Sequence, residues 1–141
     1  SLALALTPLQ CATEELIFRG YLMQALGRVF RSPLTIIAIS AVVFMLPHAI
    51  NPEVAQAPWL VLPQYVIMGV LFAAVTLKDG RLELAIGIHA SNNLFTSVIA
   101  NIEPSVFSTE AIFTSTFEPA YALAALAASS VATWLVLFRR T

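Results

Sequence analysis

Three ionisable residues, Glu14, Glu15 and Arg19, lie within an otherwise apolar run of the chain. At about 3.6 residues per helical turn, Glu15 and Arg19 share one face and are predicted to form an ion pair. Glu14 is rotated about 100° from Glu15 and is predicted to have no partner on its own helix. A carboxylate without a cation in an apolar environment suits proton transfer, which makes Glu14 a candidate catalytic group.

The chain has two histidines, and each lies four residues from a second candidate site residue. Phe44 and His48 share one helix face, and His89 and Asn93 share another. At about 1.5 Å per residue, Glu14, His48 and Asn93 lie at similar depths in the membrane, and His89 lies nearer the basic end of its segment. Antiparallel packing of the three segments is therefore predicted to bring these groups together.

This set of side chains suits the activation of water. A carboxylate and an imidazole can share a water molecule, take its proton and return it to a leaving amine. A second imidazole and an amide can donate hydrogen bonds to the oxyanion that develops during attack. These groups are sufficient for peptide hydrolysis without a covalent intermediate.

Other chemistry is open to the same residues. Glu14, His48 and His89 could supply three zinc ligands and leave one open position, although the chain has no His-Glu-x-x-His motif and Asn93 is a poor zinc ligand. The buried charges could instead serve as a proton relay in a transporter, or belong to an immunity or scaffold protein with a vestigial site. Cys11 could be a nucleophile, but we expect it to be a small buried apolar residue.

Composition indicates an integral membrane protein with one domain. The chain has 141 residues, of which 59% are hydrophobic and 11% charged, against about 25% charged residues in a soluble domain. The formal net charge of −1 gives no reason to expect nucleic acid as a partner. The expected partners are membrane lipid and a peptide or protein substrate, with or without a lipid modification. The single cysteine excludes an intramolecular disulfide framework.

We predict an all-α, polytopic bundle of five membrane segments. Ser32 and Pro33 form a start signal for the second segment, as N-cap and first helical residue. The polar turn at 78–81 ends the third segment. Residues 102–118, which include Glu110, are predicted to form an acidic loop. The five predicted segments comprise residues 2–26, 33–50, 58–77, 82–101 and 119–138.

Basic residues give this topology an orientation. Arg19 is the only lysine or arginine inside a predicted segment, and the other six all follow the first, third or fifth segment: Arg28, Arg31, Lys78, Arg81, Arg139 and Arg140. The positive-inside rule therefore predicts that this side, with the C-terminus, faces the cytoplasm of a bacterial inner membrane.

Three motifs resemble those of the CPBP family, the CAAX protease and bacteriocin-processing family, also called ABI, which includes the type II CAAX prenyl endopeptidases. They occur in the family's order on successive membrane segments and cover about residues 9–100, with the fifth segment as the usual closing helix. The motifs are Glu14-Glu15-x-x-x-Arg19, Phe44-x-x-x-His48 and His89-x-x-x-Asn93.

The resemblance implies an intramembrane endopeptidase that works without a catalytic metal. Glu14 and His48 would activate the water, and His89 and Asn93 would form the oxyanion hole. Glu15 and Arg19 would support the site, and Phe44 is expected to wall it. The substrate would be a prenylated CAAX tail or, in a bacterium, a leader peptide, a membrane peptide or a bacteriocin-related target. The family's prenyl proteases have additional N-terminal helices, so the chain is expected to be the core of a longer protein.

Overall fold

The structure is a computed structural model that describes residues 2–107, 109 and 111–139. Two residues used in the sequence predictions, Glu110 of the acidic loop and Arg140 of the C-terminal basic pair, lie outside the described residues.

Five helical segments follow one another along the chain, which confirms the predicted helical membrane bundle. Several of the segments change helix type along their length. The elements are α1 (Leu2–Glu15), a π-helical turn (Leu16–Leu22), α2 (Met23–Gly27), α3 (Pro33–Met45), 3-10 turns (Leu46–Ile50 and Pro52–Ala55), α4 (Pro58–Asp79), α5 (Glu83–Leu94), a second π-helical turn (Phe95–Ile99), β1 (Ala100–Glu103), β2 (Phe113–Thr116) and α6 (Pro119–Phe138).

Local sequence signals set several of these boundaries. The Ser32 hydroxyl accepts a hydrogen bond from the backbone N–H of Thr35 at 3.4 Å, and Pro33 follows as the first helical residue. Gly80 ends α4 with a φ of 74°, a left-handed conformation that glycine adopts without strain. The α-helical geometry of α3 gives way to a 3-10 turn next to Pro47, because proline cannot donate a backbone hydrogen bond.

Three helical segments among the described residues are long and apolar enough to cross a membrane, as judged by length and composition. They are Pro33–Ile50, Pro58–Asp79 and Pro119–Phe138. The first predicted segment is a continuous helix but carries the three ionisable residues of the motif, and the fourth is shortened by a strand that begins at Ala100.

The predicted loop at 102–118 was wrong in part, since it contains most of a small two-stranded sheet. Strand β1 pairs in parallel with β2, with Ala100 opposite Phe113 and Glu103 opposite Thr116. The helix of the fourth segment accordingly ends at Ile99 rather than at residue 101. Aromatic and β-branched residues in β2 favour a strand, but the pairing depends on contacts across the connecting residues that the sequence pattern does not encode.

Helix packing places the motif residues at one level of the bundle. Helix α1 packs antiparallel to α5, with Cys11 against Asn93 and Glu15 against His89. Helix α4 packs on α3, α5 and α6. Gly69 allows the close approach of α4 to α3, because a Cβ atom there would lie 2.8 Å from the Cα of Ala41.

Candidate active site

A buried ion pair lies at the junction of α1 and its π-helical turn. The Nη1 of Arg19 donates to Oε1 of Glu15 at 3.0 Å, and both side chains are fully buried. The Nη2 of Arg19 donates to the backbone carbonyl of Gly69 at 3.0 Å and so ties the pair to α4. The predicted pairing of Glu15 with Arg19 is present, and π-helical turns of this kind are frequent at functional sites.

The same Glu15 carboxylate also binds His89. The Nδ1 of His89 lies 2.8 Å from Oε1 of Glu15, and because an ionised carboxylate only accepts, the imidazole donates this hydrogen bond. The predicted supporting residue Glu15 therefore contacts a predicted catalytic residue directly. This contact fixes the orientation of the imidazole and directs its Nε2 atom towards Glu14, at 3.8 Å from Oε2.

Phe44 packs against both histidines and Arg19. Its ring centre lies 4.7 Å from that of His48 and 5.9 Å from that of His89. The guanidinium carbon of Arg19 lies 4.5 Å from the same ring centre, a cation–π geometry. Phe44 is fully buried and lines the same cavity as the two histidines.

His48 is held in one tautomer when it is neutral. Its Nδ1 lies 2.8 Å from the backbone carbonyl of Phe44, which can only accept, so Nδ1 carries the proton. The lone pair of Nε2 is then free, and this atom lies 4.0 Å from Oε2 of Glu14. The geometry suits an imidazole that takes a proton at Nε2.

Glu14 differs in one respect from the sequence prediction. The prediction that it has no partner on its own helix was wrong, because Nε2 of Gln10, one helical turn earlier, donates to its Oε1 at 3.0 Å. Its other oxygen, Oε2, accepts no hydrogen bond from any of the described residues. At 4.0 and 3.8 Å, the two imidazoles are too far for direct hydrogen bonds and close enough to share a water molecule with Oε2.

Asn93 lines the same cavity as Glu14 and is held by two long hydrogen bonds. Its Nδ2 donates to the Sγ of Cys11 at 3.5 Å, and its Oδ1 accepts from Asn92 at 3.3 Å. Cys11 is fully buried, as expected for a small apolar residue. Since sulfur is a weak acceptor, the amide of Asn93 can exchange this contact for a stronger acceptor.

These groups line one cavity of about 570 Å³. The structure thus brings Glu14, His48, His89 and Asn93 together in one cavity, whereas Glu15 and Arg19 do not line it. The rest of the cavity is lined mainly by apolar side chains from α4, the sheet region and α6, among them Val61, Ile102, Phe117 and Leu126.

Sequence reasoning missed Tyr65 and Glu53, which both line the cavity. The Tyr65 ring stacks on His48 with centres 4.4 Å apart, and its hydroxyl donates to Oε1 of Glu53 at 2.5 Å. The signal for Tyr65 was a phenol inside a membrane segment, where a hydroxyl requires a partner. Glu53 lies in a connection between segments, and nothing in its neighbourhood along the chain distinguishes a buried carboxylate from a solvated one.

Comparison with known proteins agrees with the motifs. The family model described as "Type II CAAX prenyl endopeptidase Rce1-like" matches residues 1–95. A protein of Bacillus subtilis (strain 168), "Uncharacterized protein YyaK", is 38% identical over 106 residues, which is 74% of this chain and 35% of that protein. The chain therefore spans about a third of the length of this relative. No solved structure matches the chain. With the motifs in one cavity of a helical membrane bundle, the chain belongs to the type II CAAX prenyl endopeptidase Rce1-like family, a family of CAAX-type intramembrane proteases.

Proposed function

We propose that the chain hydrolyses peptide bonds of membrane-associated substrates with a water activated by Glu14 and His48. The observation that carries the proposal is that the Nε2 atoms of His48 and His89 both approach Oε2 of Glu14, at 4.0 Å and 3.8 Å. A water molecule between them would be polarised by the carboxylate and by the free lone pair of His48.

In the proposed reaction, one water molecule is consumed for each peptide bond that is broken. The water oxygen attacks the scissile carbonyl carbon while Glu14 and His48 take one of its protons. Collapse of the tetrahedral intermediate breaks the C–N bond, and the stored proton passes to the leaving nitrogen. The products are a carboxylic acid and an amine, which become a carboxylate and an ammonium group when the acid proton passes to the amine, and the site returns to its starting state.

The oxyanion of the intermediate is stabilised by Asn93 and His89. Asn93 exchanges its weak contact with the Cys11 sulfur for the oxyanion. His89 already donates from Nδ1 to Glu15, so its Nε2 donates only when the ring is an imidazolium.

We propose that the reaction needs no metal. Within the described part of the chain, no group of three or more His, Cys, Asp or Glu side chains is arranged to hold a metal ion. If Glu14, His48 and His89 instead bind zinc, a strong chelator should abolish cleavage, whereas the metal-free reaction should survive chelation.

The cavity suits an extended peptide with apolar side chains, because most of its walls are apolar. A prenylated CAAX tail and a leader or bacteriocin-type peptide both fit this description. The basic residues on one side of the topology support a bacterial inner-membrane location with the C-terminus in the cytoplasm, so that substrates reach the site from the cytoplasmic side or from the lipid.

The test is cleavage of a panel of prenylated and unmodified peptides by purified protein in nanodiscs, with and without a strong chelator. Glu14→Gln should abolish cleavage and leave the melting temperature unchanged, and the exposed Glu83→Gln should cleave like the wild type. Full activity of Glu14→Gln would refute the mechanism. Loss of cleavage on chelation with recovery on added zinc would establish the metalloprotease instead, and no cleavage of any peptide would favour a non-enzymatic role such as proton transfer or immunity.

A further inference from the structure

We propose that Tyr65 and Glu53 are positioning residues that hold the imidazole of His48, and that they link it to the segment at 104–107 beside the cavity. The inference rests on the proposed function, in which His48 takes a proton at Nε2. It concerns residues outside the three sequence motifs.

His48 needs a second restraint besides its backbone contact. It lies in a 3-10 turn after the end of α3, and its side chain is 19% exposed, whereas His89 is buried in α5. The hydrogen bond from Nδ1 fixes the tautomer, and the tilted Phe44 ring contacts the imidazole with ring centres 4.7 Å apart. The Tyr65 ring restrains the imidazole further, because it stacks on it with centres 4.4 Å apart and planes 29° apart.

Tyr65 is itself fixed through its hydroxyl. The phenol donates to Oε1 of Glu53 at 2.5 Å and accepts from Nδ2 of Asn51 at 2.7 Å. These contacts join α4 to the two 3-10 turns that follow α3, and His48 lies in the first of those turns. The position of the Tyr65 ring is therefore set by groups close to His48 in the chain.

Glu53 extends the network to the far side of the cavity. Its side chain is buried, and Oε2 accepts from the backbone N–H of Val106 at 3.0 Å. Ser105, Val106 and Phe107 all line the cavity. A peptide that binds against this segment would contact Val106. Val106 is linked to the His48 imidazole by its hydrogen bond to Glu53, the hydrogen bond of Glu53 to Tyr65 and the stacking of Tyr65 on His48.

The stack also suits the chemistry of the proposed step. When His48 takes a proton it becomes a cation, and an aromatic face attracts a cation. Tyr65 thus favours the state that forms during attack by water, while the Nδ1 contact with Phe44 keeps Nε2 directed at Glu14.

The experiment compares Tyr65→Leu and Tyr65→Phe in the full-length protein in nanodiscs, with the exposed Tyr121→Phe as matched control. The first readout is kcat and KM for peptide cleavage. Tyr65→Leu should lower kcat about 10- to 100-fold with KM within about twofold, as expected when a catalytic group is misplaced. Tyr65→Phe keeps the ring and should recover part of that loss, and Tyr121→Phe should match the wild type.

The second readout does not depend on cleavage. Diethyl pyrocarbonate modifies exposed imidazoles, and mass spectrometry of peptides separates His48 from His89. Tyr65→Leu should accelerate modification of His48 at least threefold and leave His89 unchanged. A Tyr65→Leu variant with wild-type kcat, or one that lowers only the melting temperature and leaves His48 modification unchanged, would overturn the inference. If the wild type cleaves no peptide, the proposed function fails, and the His48 modification rate alone then decides whether Tyr65 positions the ring.

Discussion

Replacement of Arg19 by methionine should destabilise the protein severely. Methionine keeps much of the side-chain volume, so the main loss is the cation that pairs with Glu15 at 3.0 Å in a fully buried position. The variant also loses the hydrogen bond to the Gly69 carbonyl and the contacts with the rings of Phe44 and Phe72.

The magnitude follows from the burial of the pair. Removal of one partner of a buried ion pair costs about 3–5 kcal/mol, because the remaining charge has no compensation in low dielectric. Among the described residues, Glu15 then keeps His89 as its hydrogen-bond partner. For a chain of this size, each kcal/mol lowers Tm by about 3 °C, so Tm should fall by about 10–15 °C.

Thermal unfolding of the purified protein in detergent measures the effect. The exposed Arg28→Met serves as control and should shift Tm by less than about 2 °C, since surface charges contribute little. The double variant Glu15→Gln with Arg19→Met removes both charges and should recover most of the lost stability. A single Arg19→Met variant that melts within about 3 °C of the wild type would refute the assigned role of the pair.

Three further variants test the site, the packing and the topology. Asn93→Ala should lower kcat about 10²- to 10³-fold, as expected for the loss of an oxyanion donor, whereas Gln24→Ala, at an exposed amide away from the cavity, should retain nearly full activity, and equal activities would remove Asn93 from the oxyanion hole. Gly69→Ala should lower the free energy of unfolding by about 1–3 kcal/mol, because the new Cβ would lie 2.8 Å from the backbone of α3. Gly87→Ala is the control and should not reduce stability, because a Cβ there meets nothing within 4 Å. Similar Tm values for the two variants would contradict the close approach of α4 to α3. A cysteine placed at Gly80 should react with a membrane-impermeant thiol reagent from the cytoplasmic side only, and labelling from the opposite side would overturn the orientation.

The candidate site was predictable from the sequence because its residues repeat a simple spacing. Glu15 and Arg19, Phe44 and His48, and His89 and Asn93 are each four residues apart, so helix geometry alone places both members of a pair on one face. Ionisable side chains in apolar segments are costly, which marks them as functional or paired. The bundle itself was predictable for a related reason, since long apolar runs separated by polar turns specify membrane helices.

The partners of those residues across the bundle were not predictable in the same way. Periodicity fixes the face on which a side chain lies but not its neighbour on another helix. The sequence therefore did not indicate that Glu15 binds His89 as well as Arg19. The strand pairing of β1 with β2 also depends on residues that are distant along the chain.

The sequence by itself determined the class of protein, the helical segments and the motif residues, because hydropathy, helix periodicity and charge placement are local properties of the chain. Only the tertiary structure decided which atoms meet. It directs the Nε2 atoms of two histidines at one carboxylate oxygen of Glu14. It also stacks Tyr65 on His48 and hydrogen-bonds Glu53 to Tyr65, from separate elements. These contacts arise from the packing of whole helices, whose relative positions are set by close approaches throughout the bundle, such as that of the Gly69 backbone to Ala41.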